Sequence, residues 1–213
     1  MRIRMEEALR YLGAKEASEE SIALIEDAWQ RLQRTADPRH RVMRVDAAVS
    51  GEGVKIADFE AASPSLGLNL RGCNEAYLLA ATLGAGVDRE MTKLSAVNVA
   101  EAFALQAAAA SVLECFCDDI CADIAEELKA EGLYLRPRFS PGYGGFSTEH
   151  QRDILRILDG GRIGMSETSS HMLTPLKSVT AVMGISVQQG ICRENKCEAC
   201  DKTDCLYRKE ANQ

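Results

Sequence analysis

The chain has 213 residues, 46% of them hydrophobic and 27% charged, and a formal net charge of −7. This length suits one large domain or one domain with a small appendage, and the apolar content supports a sizeable core and excludes general disorder. An anionic surface repels phosphate backbones, and no basic stripe interleaved with aromatics is present, which argues against nucleic acid as a partner. No apolar run has transmembrane length, and the opening residues Met1-Arg2-Ile3-Arg4-Met5-Glu6 meet acid before any signal-like apolar core. The expected location is therefore the cytoplasm, with no membrane partner.

Residues 18–34 are predicted as an amphipathic helix: Ser18 caps it, Glu19 and Glu20 complement its positive end, and Ile22, Ile25, Trp29 and Leu32 recur on one face. Asp37-Pro38 ends it. Residues 41–49 and 54–56 read as two short strands around the Ser50-Gly51-Glu52-Gly53 turn, and 76–83 as a buried strand. Gly84-Ala85-Gly86 imitates a dinucleotide-binding turn, but Arg89 stands where the close-packing third glycine belongs, so it reads as an ordinary strand-to-helix turn. Residues 96–131 form a long helix, rich in small residues from Ala102 to Leu113 and amphipathic from Asp118 onward. Cys117 and Cys121 share one face of it and read as small buried hydrophobes rather than a metal pair.

A strand through Leu133-Tyr134-Leu135 follows, then a Pro/Gly-rich loop to Gly145 and a short helix. That helix opens with the capping-box pattern Thr148-Glu149-His150-Gln151 and turns Ile154, Leu155 and Leu158 inward. Two further strands are expected near 162–166 and 177–187. Strands and helices mix without a regular βαβ period, which gives an α+β class: a mixed or antiparallel sheet with long Ala-rich helices packed on it. The division expected is a domain over 1–190 and a small four-cysteine tail over 191–213.

The most informative stretch is Arg138-Phe139-Ser140-Pro141-Gly142-Tyr143-Gly144. Pro141 fixes φ and removes a donor, while Gly142 opens conformations closed to other residues and lets a ligand approach the backbone. Arg138 and Tyr143 offer a fixed cation and an aromatic face with a hydroxyl, a pair suited to gripping a carboxylate and lying against a flat group. On spacing alone, a tight surface turn with incidental Arg and Tyr explains the stretch as well.

This loop resembles the Arg-Pro-Ala-Pro-Gly-Tyr segment of the activation domain of cobalamin-dependent methionine synthase, matching at Arg138, Pro141, Gly142 and Tyr143. Downstream, Met165-Ser166-Glu167 stands where that family has Leu-Thr-Glu, and Pro175 with Ser178-Val179 is similar to its Pro-x-x-Ser-Val. Thr82-Leu83-Gly84 and the Ala-rich helix look like the free-standing, shorter members. The clear resemblance covers residues 136–179. It implies binding of S-adenosylmethionine by Arg138, Ser140, Pro141, Gly142, Tyr143 and Glu167. It further implies reductive reactivation of a cob(II)alamin methyltransferase, in which the corrinoid and the sulfonium supply the reactivity and the protein supplies position. Consistent with that division of labour, His40, His150 and His171 are scattered and no nucleophile–base–orienter triad is legible.

Two departures bear on the partner and the ligand. The chain lacks the Asp-x-His-x-x-Gly pattern that provides a lower corrinoid ligand, so cobalamin is expected only on a partner, a methionine synthase or related corrinoid methyltransferase acting in trans. The family's Tyr-containing segment after the Ser-Val strand has no counterpart; Gln188-Gln189-Gly190 leads instead into cysteines.

Of eight cysteines, Cys192, Cys197, Cys200 and Cys205 crowd into the tail with a two-residue knuckle between longer gaps. Such thiolates can converge on one zinc ion or an iron–sulfur cluster, and the latter suits a protein that must deliver an electron to cobalt. Three functions remain open: a reactivation factor using S-adenosylmethionine, an iron–sulfur electron relay to another corrinoid protein without it, and a non-catalytic zinc-stabilised interaction module.

Overall fold

Residues 1–14, 17–51 and 53–188 are described by the structure, a computed structural model. Two helices, α1 (Met5–Leu12) and α2 (Glu19–Thr35), precede a meander of β1 (Arg39–Ser50), β2 (Gly53–Ile56) and β3 (Phe59–Ala61). Ser18 caps α2 as expected, and its reciprocal partner is Ser21: each hydroxyl accepts from the other's backbone N–H. A short α3 (Pro64–Asn69) leads to β4 (Glu75–Thr82), then α4 (Ala85–Val97) and the 32-residue α5 (Val99–Ala130). Strand β5 (Tyr134–Leu135), helix α6 (His150–Ile157), a ribbon of β6 (Ser166–Glu167) and β7 (Leu173–Thr174), and β8 (Ser178–Ser186) complete the order.

Six strands pair antiparallel in the order β3-β2-β1-β4-β8-β5. Central β4 explains its own unbroken apolar run, because both of its faces are covered. Leu79 and Ala81 join Ala181, Met183 and Ile185 of β8 against Cys117, Ile120, Ile124 and Leu128 of α5. On the opposite face Ala76, Leu78, Ala80 and Val182 meet Leu66, Leu70, Phe146, Ile154 and Leu158. The α+β expectation holds, and the sheet is antiparallel throughout.

Helix α5 serves two layers. Its C-terminal half lies on the sheet; its N-terminal half, from Ala102 to Val112, is buried among α1, α2 and α4 with Leu83 and Val87. Small side chains allow three helices to close around one, and the fully buried Leu105 and Leu32 fill the space between. Contrary to the expectation that no segment has transmembrane length, α5 is long and apolar enough to cross a membrane. Most of its apolar residues face the sheet and its helical neighbours, while Val99 and Phe103 near its start stay exposed.

Two local expectations fail. The capping box at Thr148–Gln151 does not form: helix α6 has no side-chain cap, and Ser147 Oγ instead accepts from Glu149 N in a preceding turn, leaving Gln151 Oε1 buried without a partner. The strand foreseen at 162–166 is mostly a 3-10 turn, Gly160–Ile163, with only Ser166–Glu167 extended. The tail from residue 191, including all four of its cysteines, lies outside the described residues.

Candidate functional site

The last edge of the sheet positions the Arg-Phe-Ser-Pro-Gly-Tyr loop. After β5 the chain continues beside β8: Arg136 N donates to Gly184 O, and Phe139 exchanges both backbone bonds with Val182. Three steps along this edge thus oppose two on β8, which is a bulge. It falls at Pro137, the residue without an N–H to give the ladder. The bulge re-aims the side chains that follow. Arg136 lays its stem over Gly184 beside Leu70 and Cys73 and bonds Ser186 Oγ. Arg138 turns to α5, and Phe139 packs into the core on the other face.

Beyond the bulge the loop folds on itself. Tyr143 N donates to Ser140 O, Gly142 N to Phe146 O and Phe146 N to Tyr143 O. Pro141 is buried and Gly142 has φ +96, where a side chain would strain the backbone. Gly144 abuts α3 so closely that a Cβ would lie 2.6 Å from that of Ser65, and Ser63 Oγ donates to its carbonyl. The hairpin-like knot thus tied holds Tyr143 outward, 70% exposed.

Between α5 and this edge runs an open groove of about 510 Å³. One wall is a stripe of α5, Asp118, Cys121, Ala122 and Ala125; the other is the chain from Leu135 to Arg138. At its end Arg138 Nη2 donates to both Glu114 Oε2 and Asp118 Oδ1, each at 2.8 Å. Asp118 also accepts from Arg4 at 2.6 Å, and Arg4 is anchored to the same helix by reciprocal bonds between its backbone and the Ser111 hydroxyl. Cys121 lies 3.5 Å from Met183 Sδ, and its thiol is pushed up to about 12, by burial first and then by the charges of Asp118 and Glu114. A thiol so held is neutral at physiological pH and is no nucleophile.

Glu167 stands apart from these. It is paired with Arg152 of α6, and His171, in the left-handed region at φ +59, reaches it at 3.5 Å. This ribbon is carried by α6 and Met165 on the sheet face away from α5. His150 is stacked between Phe59 and Phe146 and bonded to Asp153, a half-buried histidine in a packing role. The structure therefore gathers Arg138, Ser140, Pro141, Gly142 and Tyr143 on one loop, and holds Glu167 in a separate polar cluster.

Sequence reasoning overlooked Glu114, Asp118 and Arg4. For the two acids a signal was present: Glu114, Asp118, Cys121, Ala122 and Ala125 fall on one helical stripe of polar and small residues. Cys192, Cys197, Cys200 and Cys205 lie outside the described residues, and among the described residues no three metal-binding side chains converge.

No protein-family model matches the chain, and no curated protein does. Among solved structures, the MetH reactivation domain bound to AdoHcy matches with a TM-score of 0.63 at 19% identity, over 82% of this chain and 68% of that one. The likeness is one of fold, and it agrees at that level with the resemblance carried by residues 136–179.

Proposed function

We propose that the protein is a reactivation factor for a corrinoid methyltransferase, methionine synthase foremost, which it serves in trans by presenting S-adenosylmethionine from the groove between α5 and the bulged edge. One observation carries this reading: the bulge at Pro137 sets Arg138 at the end of a groove whose neighbouring loop holds Tyr143 out to solvent. The fold of the AdoHcy-bound reactivation domain supports it. A volume of about 510 Å³ lies within the roughly 300–1,000 Å³ of small-molecule sites, a size that supports this reading.

In this reading an external donor gives one electron to cobalt(II) of the partner, and the resulting cobalt(I) takes the methyl group of the sulfonium. The S–CH3 bond breaks with its electron pair left on sulfur, and a neutral thioether remains. No proton moves, so the protein has only to bind, orient and exclude water. Ser140 completes the proposed ligand set, Glu167 on the opposite sheet face is left outside it, and the four tail cysteines are proposed to hold an iron–sulfur cluster or zinc.

The test is calorimetry with S-adenosylmethionine on anaerobically purified protein, followed by Arg138→Ala. Loss of a charge-assisted pair of about 1.5–3 kcal/mol should weaken binding by about 10- to 150-fold. Wild-type protein that binds no S-adenosylmethionine, or a variant that binds as tightly as wild type, refutes the assignment.

A further inference from the structure

The groove carries a charge pattern that the reading above does not use. Its α5 wall presents one carboxylate, Asp118, followed by a neutral thiol and two alanines; its other wall adds the apolar Leu135 and Pro137. Arg138 faces two carboxylates at equal distance, Glu114 and Asp118. The second cation on Asp118, Arg4, is itself shared with Glu7. Arg136 sends its guanidinium to Ser186 across Gly184, away from this wall. On the same wall, the Cys121 thiol is pushed up by burial first and then by the charges of Asp118 and Glu114. A cation lying along Ala122 and Ala125 sits next to Asp118 on the α5 wall, while Arg138 at the groove's end is held in bonds to that carboxylate and to Glu114.

We infer that Asp118 is a specificity-determining residue, by which the groove holds the methyl-bearing sulfonium in preference to the neutral thioether left after methyl transfer. The inference rests on the proposed binding of S-adenosylmethionine in this groove. It gives the site a direction. Both ligands share the adenosine and the amino-acid arm, so contacts to those parts cannot separate them; only the charge on sulfur and one methyl group differ. Transfer of the methyl removes that charge, and with it the attraction to Asp118, so the spent ligand leaves and fresh sulfonium replaces it. Uniform grip on the shared parts would instead leave the product in place. Coulomb attraction at a partly solvated groove of this kind suits an effect of about tenfold in relative affinity.

The experiment compares the dissociation constants of S-adenosylhomocysteine and S-adenosylmethionine, as a ratio, for wild type, Asp118→Asn, Asp118→Glu and Glu114→Gln. Taking the ratio cancels changes common to both ligands, including any release of Arg138 to their carboxylates and any loss of folding stability. Wild type should favour the sulfonium, and D118N should lower its ratio by about tenfold. D118E, which restores the charge, should keep the wild-type ratio, and E114Q should fall between. Raising salt from 0.05 to about 0.5 M should shrink the wild-type ratio and leave that of D118N unmoved. A D118N ratio equal to wild type, with both ligands still bound, overturns the inference alone. Failure of wild type to bind either ligand overturns the proposed function and the inference with it.

Discussion

Gly144 and Gly145 make a matched pair for testing whether the loop is held by α3. Both have positive φ, +53 and +77, so an alanine at either position incurs the left-handed strain of about 1–2 kcal/mol. They differ in what the added methyl meets. At Gly145 nothing lies within 4 Å; at Gly144 the new Cβ would sit 2.6 Å from Ser65 Cβ and 2.9 Å from Phe139 Cζ. Ordinary contact begins about 0.8 Å further out than that first distance, and neither neighbour is the free end of a flexible chain. Ser65 belongs to α3, and Phe139 is fixed by its bridge to Val182. Overpacking of this kind costs about 1–3 kcal/mol. Gly144→Ala should therefore destabilise by about 2–5 kcal/mol and Gly145→Ala by about 1–2, read as urea midpoints at unchanged slope. Because the displaced segment carries Tyr143, G144A should also lose more affinity for S-adenosylmethionine than G145A. Equal unfolding free energies for the two variants, within about 0.5 kcal/mol, refute the claim that contact with α3 sets the loop.

The thiol of Cys121, raised from 9.0 to about 12, should be alkylated by iodoacetamide at pH 8 at least a hundredfold more slowly in the folded protein than in urea, by peptide mapping; equal rates would show it to be open. Since its folded value is the higher one, its contribution to stability is complete below about pH 9 and is lost as pH climbs toward 12, so the urea midpoint should fall between pH 8 and 10.5, and fall less in Cys121→Ala. For the tail, anaerobic purification should yield iron with acid-labile sulfide, or one zinc, removed by Cys197→Ser with Cys200→Ser; metal-free wild-type protein ends that proposal.

How much of this was legible in the chain follows from how local each signal is. Ser18, the 3.6-residue spacing of Ile22, Ile25 and Leu32, and the apolar run at 76–83 declare themselves within a few residues, and α2 and β4 fall where they point. The short α3 opens on a local signal that was passed over, Ser63 capping Leu66 N with Pro64 at the first helical position, whereas the two-residue strands of the β6–β7 ribbon show no periodicity to read. Thr148 shows the opposite failure: a capping-box pattern is present, but Ser147 one residue earlier captures the turn and the box is bypassed. In the site, Arg138, Pro141, Gly142 and Tyr143 were found because they are contiguous. Glu114 and Asp118 escaped because their meaning depends on a bulge twenty residues away that turns Arg138 onto them, and the separation of Glu167 from Arg138 depends on which face of the sheet each element covers.

The carboxylates on Arg138 bear on whether the site is blocked or prepared. Arg138 can engage a ligand carboxylate only by loosening one of its two present bonds. Glu114 and Asp118 keep 44% and 38% of their side-chain surface exposed, and pairs so open to solvent contribute about 0–1 kcal/mol each. A bond to an incoming carboxylate inside the groove, where water is partly excluded, is worth about 1.5–3 kcal/mol. The exchange therefore favours the ligand, while until it arrives the two carboxylates hold a long side chain in one orientation that it would otherwise have to adopt at an entropic cost of up to about 2 kcal/mol. Arg4, bonded to the outer oxygen of Asp118, keeps that carboxylate in place when Arg138 moves. An arrangement that positions a cation at little cost and leaves a carboxylate behind for a sulfonium suits a protein whose task is presentation, since neither step calls for a proton or a nucleophile from the chain.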